Sequence, residues 1–251
     1  MSPICHPIIR IRYGGLVCWH TCTGIRLFPV ESCFFHIRFQ VTILHLPAEI
    51  TELCLSSCLM SPEFFSYMES YMNHLAVLSL EQSAKVSDRD ISHICGCQSL
   101  QILNLNGCYR VTHSAIEAIT RTLTNLRELH LKETKCNDIS LFHISSNLKN
   151  LEKLSLGGLK ESQRCVMSSK GLSSNLVGLK TLAALDLSYS CCDDDVLKAL
   201  KCLTKLKNLD VRATYVTIDY EHGLSEQCKI IFDTKSNMYS GDTLENATEN
   251  I

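Results

Sequence analysis

From residue 50 onward the chain repeats one arrangement of apolar and polar positions, in which three aliphatic residues stand at i, i+3 and i+5 with polar residues between and after them. The triplets are Ile50/Leu53/Leu55, Leu75/Leu78/Leu80, Leu100/Leu103/Leu105, Leu126/Leu129/Leu131, Leu151/Leu154/Leu156, Leu182/Leu185/Leu187 and Leu206/Leu209/Val211. Their starts lie 25, 25, 26, 25, 31 and 24 residues apart, a spacing that leucine content alone does not produce. A period of this length marks a solenoid, in which each unit is one supersecondary element that cannot bury its apolar side alone. The alternation within each triplet predicts a short strand with leucines inward and the intervening residues outward. Stacked units pair these strands in parallel and join the leucines into one core.

The segments between strands carry helical spacing. Ser114 and Glu117 stand at capping-box separation ahead of Ile116, Ile119 and Leu123 on one face. Ser61 and Pro62 precede Phe64, Met68 and Met72, and Asp193, Asp194 and Asp195 place negative charge ahead of Leu197, Leu200 and Leu203. The fold class is therefore α/β, with parallel strands on a concave face and helices on a convex face. The organisation expected is an irregular segment over 1–36, a capping strand within 37–49, seven repeat units over 50–215, and a C-terminal cap with a disordered tail over 216–251. The alternation over 37–44 supplies the capping strand, and residues 228–232 supply a last edge strand. The fifth unit is six residues longer than its neighbours, with the surplus placed around 160–175 as a loop.

The third unit, with Leu100, Leu103, Leu105 and Cys108 followed by Val111-Thr112, resembles the cysteine-containing subtype of leucine-rich repeat, and residues 50–58 fit the same pattern through Cys58. The other units carry Ser83, Thr134, Leu159, Ser190 and Thr214 at the cysteine position. The resemblance spans about residues 46–215 and is strongest to the substrate-binding half of F-box/leucine-rich-repeat proteins, the receptors of SCF-type ubiquitin ligases in ubiquitin-dependent protein degradation. It implies a protein-binding array, and ubiquitin-ligase subunits as partners only if a longer form carries an F-box. Leu46-Pro47-Ala48-Glu49-Ile50 matches the way an F-box opens, but the rest of that motif does not follow and Ile50 already begins a repeat.

Charge narrows the partners. With 24 basic against 26 acidic residues and a net charge of −2, the chain lacks the excess of cations that phosphate-driven nucleic-acid binding requires. No apolar stretch is long enough to span a membrane. Without a secretory signal, the 15 cysteines read as reduced thiols of a cytoplasmic or nuclear protein. The first forty residues hold Arg10, Arg12, Arg26 and Arg38 against Glu31 alone, which is how mitochondrial presequences read, although Pro3, Pro7, Gly14 and Gly15 interrupt a long amphipathic helix.

Candidate chemistry is sparse. Cys5, His6, Cys18, His20 and Cys22 are zinc-ligand types, but their spacings match no familiar ligand pair, so no metal and no cofactor is expected. Cys95, Cys97, Cys191 and Cys192 fall at unit junctions that want small apolar residues. Gly157-Gly158, placed on outward positions of a strand, forms no phosphate loop. The outward strand positions remain: Cys54, Ser79, Asn104, His130, Ser155, Asp186 and Asp210 form a ladder, flanked by Glu128, Glu133, Lys153 and Lys207 among others. Because aromatics and Arg dominate interface energetics and two β-branched residues stand beside them, the expected protein-binding set is Val77, Ile102, Asn104, Arg127, His130, Lys132, Asp186, Tyr189 and Arg212. The expectation is a monomeric, non-enzymatic interaction module with one of two roles, a substrate receptor of the SCF type or a scaffold or assembly factor unrelated to ubiquitin.

Overall fold

The computed structural model describes residues 8–13, 16–19, 25–30, 38–43, 50–60, 63–68, 74–158, 166–217, 224 and 228–232. Seven strands occupy the places set by the leucine period: β5 (Ile50–Ser56), β7 (Val77–Ser79), β8 (Ile102–Asn104), β9 (Glu128–His130), β10 (Lys153–Ser155), β11 (Ala184–Asp186) and β12 (Asn208–Asp210). They pair in parallel, each with the next, and β13 (Lys229–Ile231) adds an eighth at the C-terminal end. The return segments hold α1 (Phe64–Met68), α2 (Asp88–Ile94), α3 (His113–Thr122), α4 (Asp138–Asn147), α5 (Ser169–Leu176) and α6 (Asp194–Leu200). Strand, helix and strand therefore alternate as an open solenoid.

Register explains why the core is continuous. Leu53, Leu78, Leu103, Leu129, Leu154, Leu185, Leu209 and Ile230 are matched across successive strands, and the first seven are buried. Against them lie the inward faces of the helices, including Ile91 and Ile94 of α2, Ile116 and Ile119 of α3, Leu141 and Ile144 of α4, and Val196 and Leu197 of α6. Each fully buried Leu or Ile contributes about 1.5–3 kcal/mol relative to exposure.

The position three residues past the triplet plays a shared part in several units. Ser83 Oγ donates to the Leu55 carbonyl at 3.0 Å and Cys108 Sγ to the Leu80 carbonyl at 3.2 Å, each reaching the preceding unit. Thr134 and Thr214 hydroxyls instead donate to carbonyls of their own turns, Leu131 and Val211. A small donor serves the turn in these four units, so Cys, Ser and Thr interchange there, while Leu159 of the fifth unit lies outside the described residues. One residue earlier the chain turns sharply out of the strand: Ser57, Gln82, Gly107, Glu133, Tyr189 and Ala213 all have positive φ. Only Gly107 takes this conformation without a steric cost.

Helix starts are tied from unit to unit. Thr112, not Ser114, caps α3, and Ser114 is the residue whose backbone N–H the Thr112 hydroxyl accepts. Thr112 is held by the previous unit, because Asp88 accepts from both its backbone N–H and its hydroxyl. Glu117, freed from a capping role, pairs with Arg121 at 2.7 Å. The same link recurs from Asp138 to Ser168 and from Asp194 to Thr217. Asp88→Ala removes two acceptors at once and is expected to cost about 1–2 kcal/mol, visible as a lowered denaturation midpoint with Asp88→Asn intermediate. An unchanged midpoint would mean that these links do not hold the units together.

The N-terminal arrangement differs from expectation. The segment expected to be irregular holds β1 (Ile8–Tyr13), β2 (Leu16–Trp19) and β3 (Ile25–Val30), and β1 is the strand that pairs with β5, antiparallel. The strand expected within 37–49 forms as β4 (Arg38–Ile43), but it joins β3 and β6 (Cys58–Met60) in a separate three-stranded sheet. Long-range antiparallel pairing leaves no mark on the repeat period, so alternation alone did not select the partner. In the fifth unit, Ser169–Leu176 forms α5 capped by Ser168, so part of the surplus placed in a loop over 160–175 is the unit's own helix. Residues 159–165, the 46–49 motif, Ser61, Pro62, Met72 and the tail over 233–251 lie outside the described residues.

The concave face as candidate functional site

The ladder read from the sequence is present in register. One row runs Cys54, Ser79, Asn104, His130, Ser155, Asp186 and Asp210, and a parallel row runs Glu52, Val77, Ile102, Glu128, Lys153, Ala184 and Asn208. Of the nine residues expected to bind, Val77, Ile102, Asn104, His130 and Asp186 stand on these strands. Lys132, Tyr189 and Arg212 follow the strands at one rim, and Arg127 precedes β9 at the other. The nine thus divide among a face and two rims.

Most of the polar members hold the face itself together. Asn104 Oδ1 accepts from the backbone N–H of Asn106 at 3.0 Å while its amide donates to Glu81 at 3.2 Å. Asp186 accepts from the N–H and hydroxyl of Ser188. Asp210 accepts from the backbone N–H of Arg212 and grips its guanidinium through both oxygens, which helps hold the Asp210 carboxyl below the usual range against the opposing effect of burial. These i to i+2 bonds close the exit turns of β8, β11 and β12. The period could not reveal them, although Asn or Asp at the same position of three units was a signal.

Charged groups on the face are paired across units. Glu128 meets Lys153 at 2.8 Å and approaches His130 at 3.7 Å, while His130 Nδ1 lies 3.0 Å from Ser155 Oγ. Desolvation by burial lowers the His130 pKa, partly opposed by Glu128, so the ring is neutral at neutral pH. Lys132 reaches past the neighbouring unit to Asp186, two units away, at 2.5 Å. It passes over Gly157, where a Cβ would come within 2.8 Å of Lys132 Cε. Gly157 is itself buried just beyond β10, not outward on a strand as the sequence suggested. Val77 and Ile102, adjacent and half-buried, form the apolar part of this face.

Nucleophilic chemistry finds little here. Burial pushes the Cys97 and Cys108 thiols up to about 12, and Cys192 is also raised, so these cysteines stay protonated and serve packing. Among the described residues no group of three or more His, Cys, Asp or Glu side chains is placed to hold a metal. Cys5, His6, His20 and Cys22 lie outside the described residues. Among the described residues no helix is long and apolar enough to cross a membrane.

Comparison with known proteins bears on the fold. The chain is similar to internalin C2 of Listeria monocytogenes, a leucine-rich-repeat protein, with a TM-score of 0.53 and 19% identity over 73% of this chain and 71% of that one. The fold is a leucine-rich-repeat solenoid. A second internalin from the same organism, internalin F, aligns with a TM-score of 0.39 and 17% identity over 74% of this chain and 68% of that one. In sequence, the chain is 28% identical over 150 residues to the putative RNA-binding protein EEED8.10 of Caenorhabditis elegans. That match covers 55% of this chain and 19% of the relative, so the chain spans about a fifth of the length of the curated relative it matches. No family model matches the chain.

Proposed function

We propose that this solenoid is a non-catalytic protein-interaction module whose ligand is a protein bound on the concave face. The observation that carries the reading is the open face of eight parallel strands, on which Val77 and Ile102 form an apolar step beside the prearranged Glu128–Lys153 and Lys132–Asp186 pairs. Paired charges of this kind fix partner orientation while neighbouring apolar residues supply affinity. Tyr189, half-buried and held at φ 59 at the rim, adds an aromatic anchor.

The finer reading follows the resemblance of the third unit to the cysteine-containing repeat subtype. In it the protein is a substrate receptor of the SCF type, cytoplasmic or nuclear, with ligase subunits engaged through an F-box of a longer form. The alternative is a scaffold or assembly factor outside ubiquitin chemistry, for which the basic, acid-poor first forty residues favour mitochondria. The two separate by partner identity: affinity capture that recovers cullin-ligase subunits supports the first, and import with cleavage of the N-terminus supports the second.

The site itself is tested by replacing Ile102, His130 and Tyr189 together with alanine. The melting curve is expected to stay close to wild type, while the captured partner is weakened by about 2 kcal/mol or roughly thirtyfold. Undiminished capture by a folded triple variant would move the ligand off the concave face.

A further inference from the structure

The near-neutral total charge conceals a segregated one. The turns that lead from helices α2 to α6 into the next strand, residues 95–101, 123–127, 148–152, 177–183 and 201–207, carry Arg127, Lys149, Lys180, Lys201, Lys205 and Lys207 against the single carboxylate of Glu152. Compensating acids sit elsewhere, in the first turns of helices, as with Asp88 and Asp90 of α2 and Asp194 and Asp195 of α6. Arg127 is occupied by Glu152 at 2.6 Å. Lys205 and Lys207 are exposed and form no ion pair with a described residue.

These turns enclose a trough of about 790 Å³ along one rim of the solenoid. Five successive units build it, each from the residues just before and just after its first leucine: Ser99 and Gln101, Asn125 and Arg127, Asn150 and Glu152, Thr181 and Ala183, then Lys205 and Lys207. Strands lie about 4.8 Å apart, so five units span about 19 Å, the length of roughly six residues of extended peptide. Lining groups with committed donors leave acceptors available. Asn125 Nδ2 donates to the Gln98 carbonyl, and the Thr181 hydroxyl donates to the carbonyls of Lys149 and Leu151.

We propose that this rim trough binds an extended acidic peptide segment of a partner protein, with the peptide's carboxylates at Lys205 and Lys207 and its backbone N–H groups at the lining amide and hydroxyl oxygens. A phosphodiester backbone offers acceptors alone, whereas a peptide backbone both donates and accepts, which is what the lining requires. No aromatic side chain lines the trough, and a single-stranded nucleic acid would want one for base stacking. The geometry also reassigns Arg127, which belongs to this rim and not to the concave strands. The proposal stands apart from the concave-face reading, since the two surfaces share no strand residue.

The test is a fluorescence-anisotropy titration of the full chain with fluorescein-labelled hexaglutamate, alongside labelled hexauridine as a nucleic-acid probe of similar length. Hexaglutamate is expected to bind saturably and to weaken as salt is raised. The double variant Lys205→Gln/Lys207→Gln should bind it about tenfold more weakly with an unchanged melting curve, because each exposed cation contributes modestly and neither supports the core. Ile102→Ala should bind it as wild type does. Absence of saturable binding, equal binding by the double variant, loss of binding in Ile102→Ala, or tighter binding of hexauridine than of hexaglutamate would each overturn the proposal.

Discussion

Leu105→Asp is expected to unfold the array. Leu105 is wholly buried immediately after β8, in the core of leucines and isoleucines. Truncation there to alanine would cost about 2–5 kcal/mol through lost transfer energy and a cavity. An unpaired carboxylate adds its own desolvation, so Asp should cost more than about 4 kcal/mol, a large part of the stability of an ordinary domain. Circular dichroism during urea denaturation provides the measurement. A wild-type midpoint would mean that the inward register of the strands is wrong.

Gly157→Ala should be damaging although it adds a single methyl group. The added Cβ would overlap the backbone carbonyl oxygen of Ser188 and stand 2.8 Å from Lys132 Cε. The lysine can swing aside, but the carbonyl belongs to the next unit's exit turn and cannot move without it. Overpacking of this kind costs about 1–3 kcal/mol. Displacing Lys132 also separates it from Asp186, so Gly157→Ala should cost less in a Lys132→Met background, where that pair is already gone. If Gly157→Ala melts as wild type does, the close approach of the two units at this point does not exist.

The leucine period made strands, core and ladder legible because each of those features depends on a side chain's own position within its unit. Leu53, Leu103 and Leu209 could be placed inward from spacing alone, and the ladder from Cys54 to Asp210 followed. What stayed hidden depends on partners outside the unit. Ser114 and Glu117 have capping-box spacing, yet Asp88 of the previous unit secures Thr112 as the cap. Asn104 and Asp186 look like ligand contacts, but their nearest backbone N–H groups claim them first. Arg127 sits one residue before β9, and that single step places it at the rim beside Glu152. The segregation of cations into one set of turns was present in the sequence, but a summed charge does not show it.

The reach of Lys132 to Asp186 has a consequence for how the molecule comes apart. In a linear array each unit couples only to its two neighbours, so unfolding resembles a row of switches with nearest-neighbour linkage, and ends fray independently of the middle. A bond that skips a unit adds a second-neighbour coupling over the fourth to sixth units. Backbone amides of these three units should then exchange with solvent as one block, more slowly than those of the seventh. Cutting the link with Lys132→Met should divide that block, giving the sixth unit an opening rate of its own.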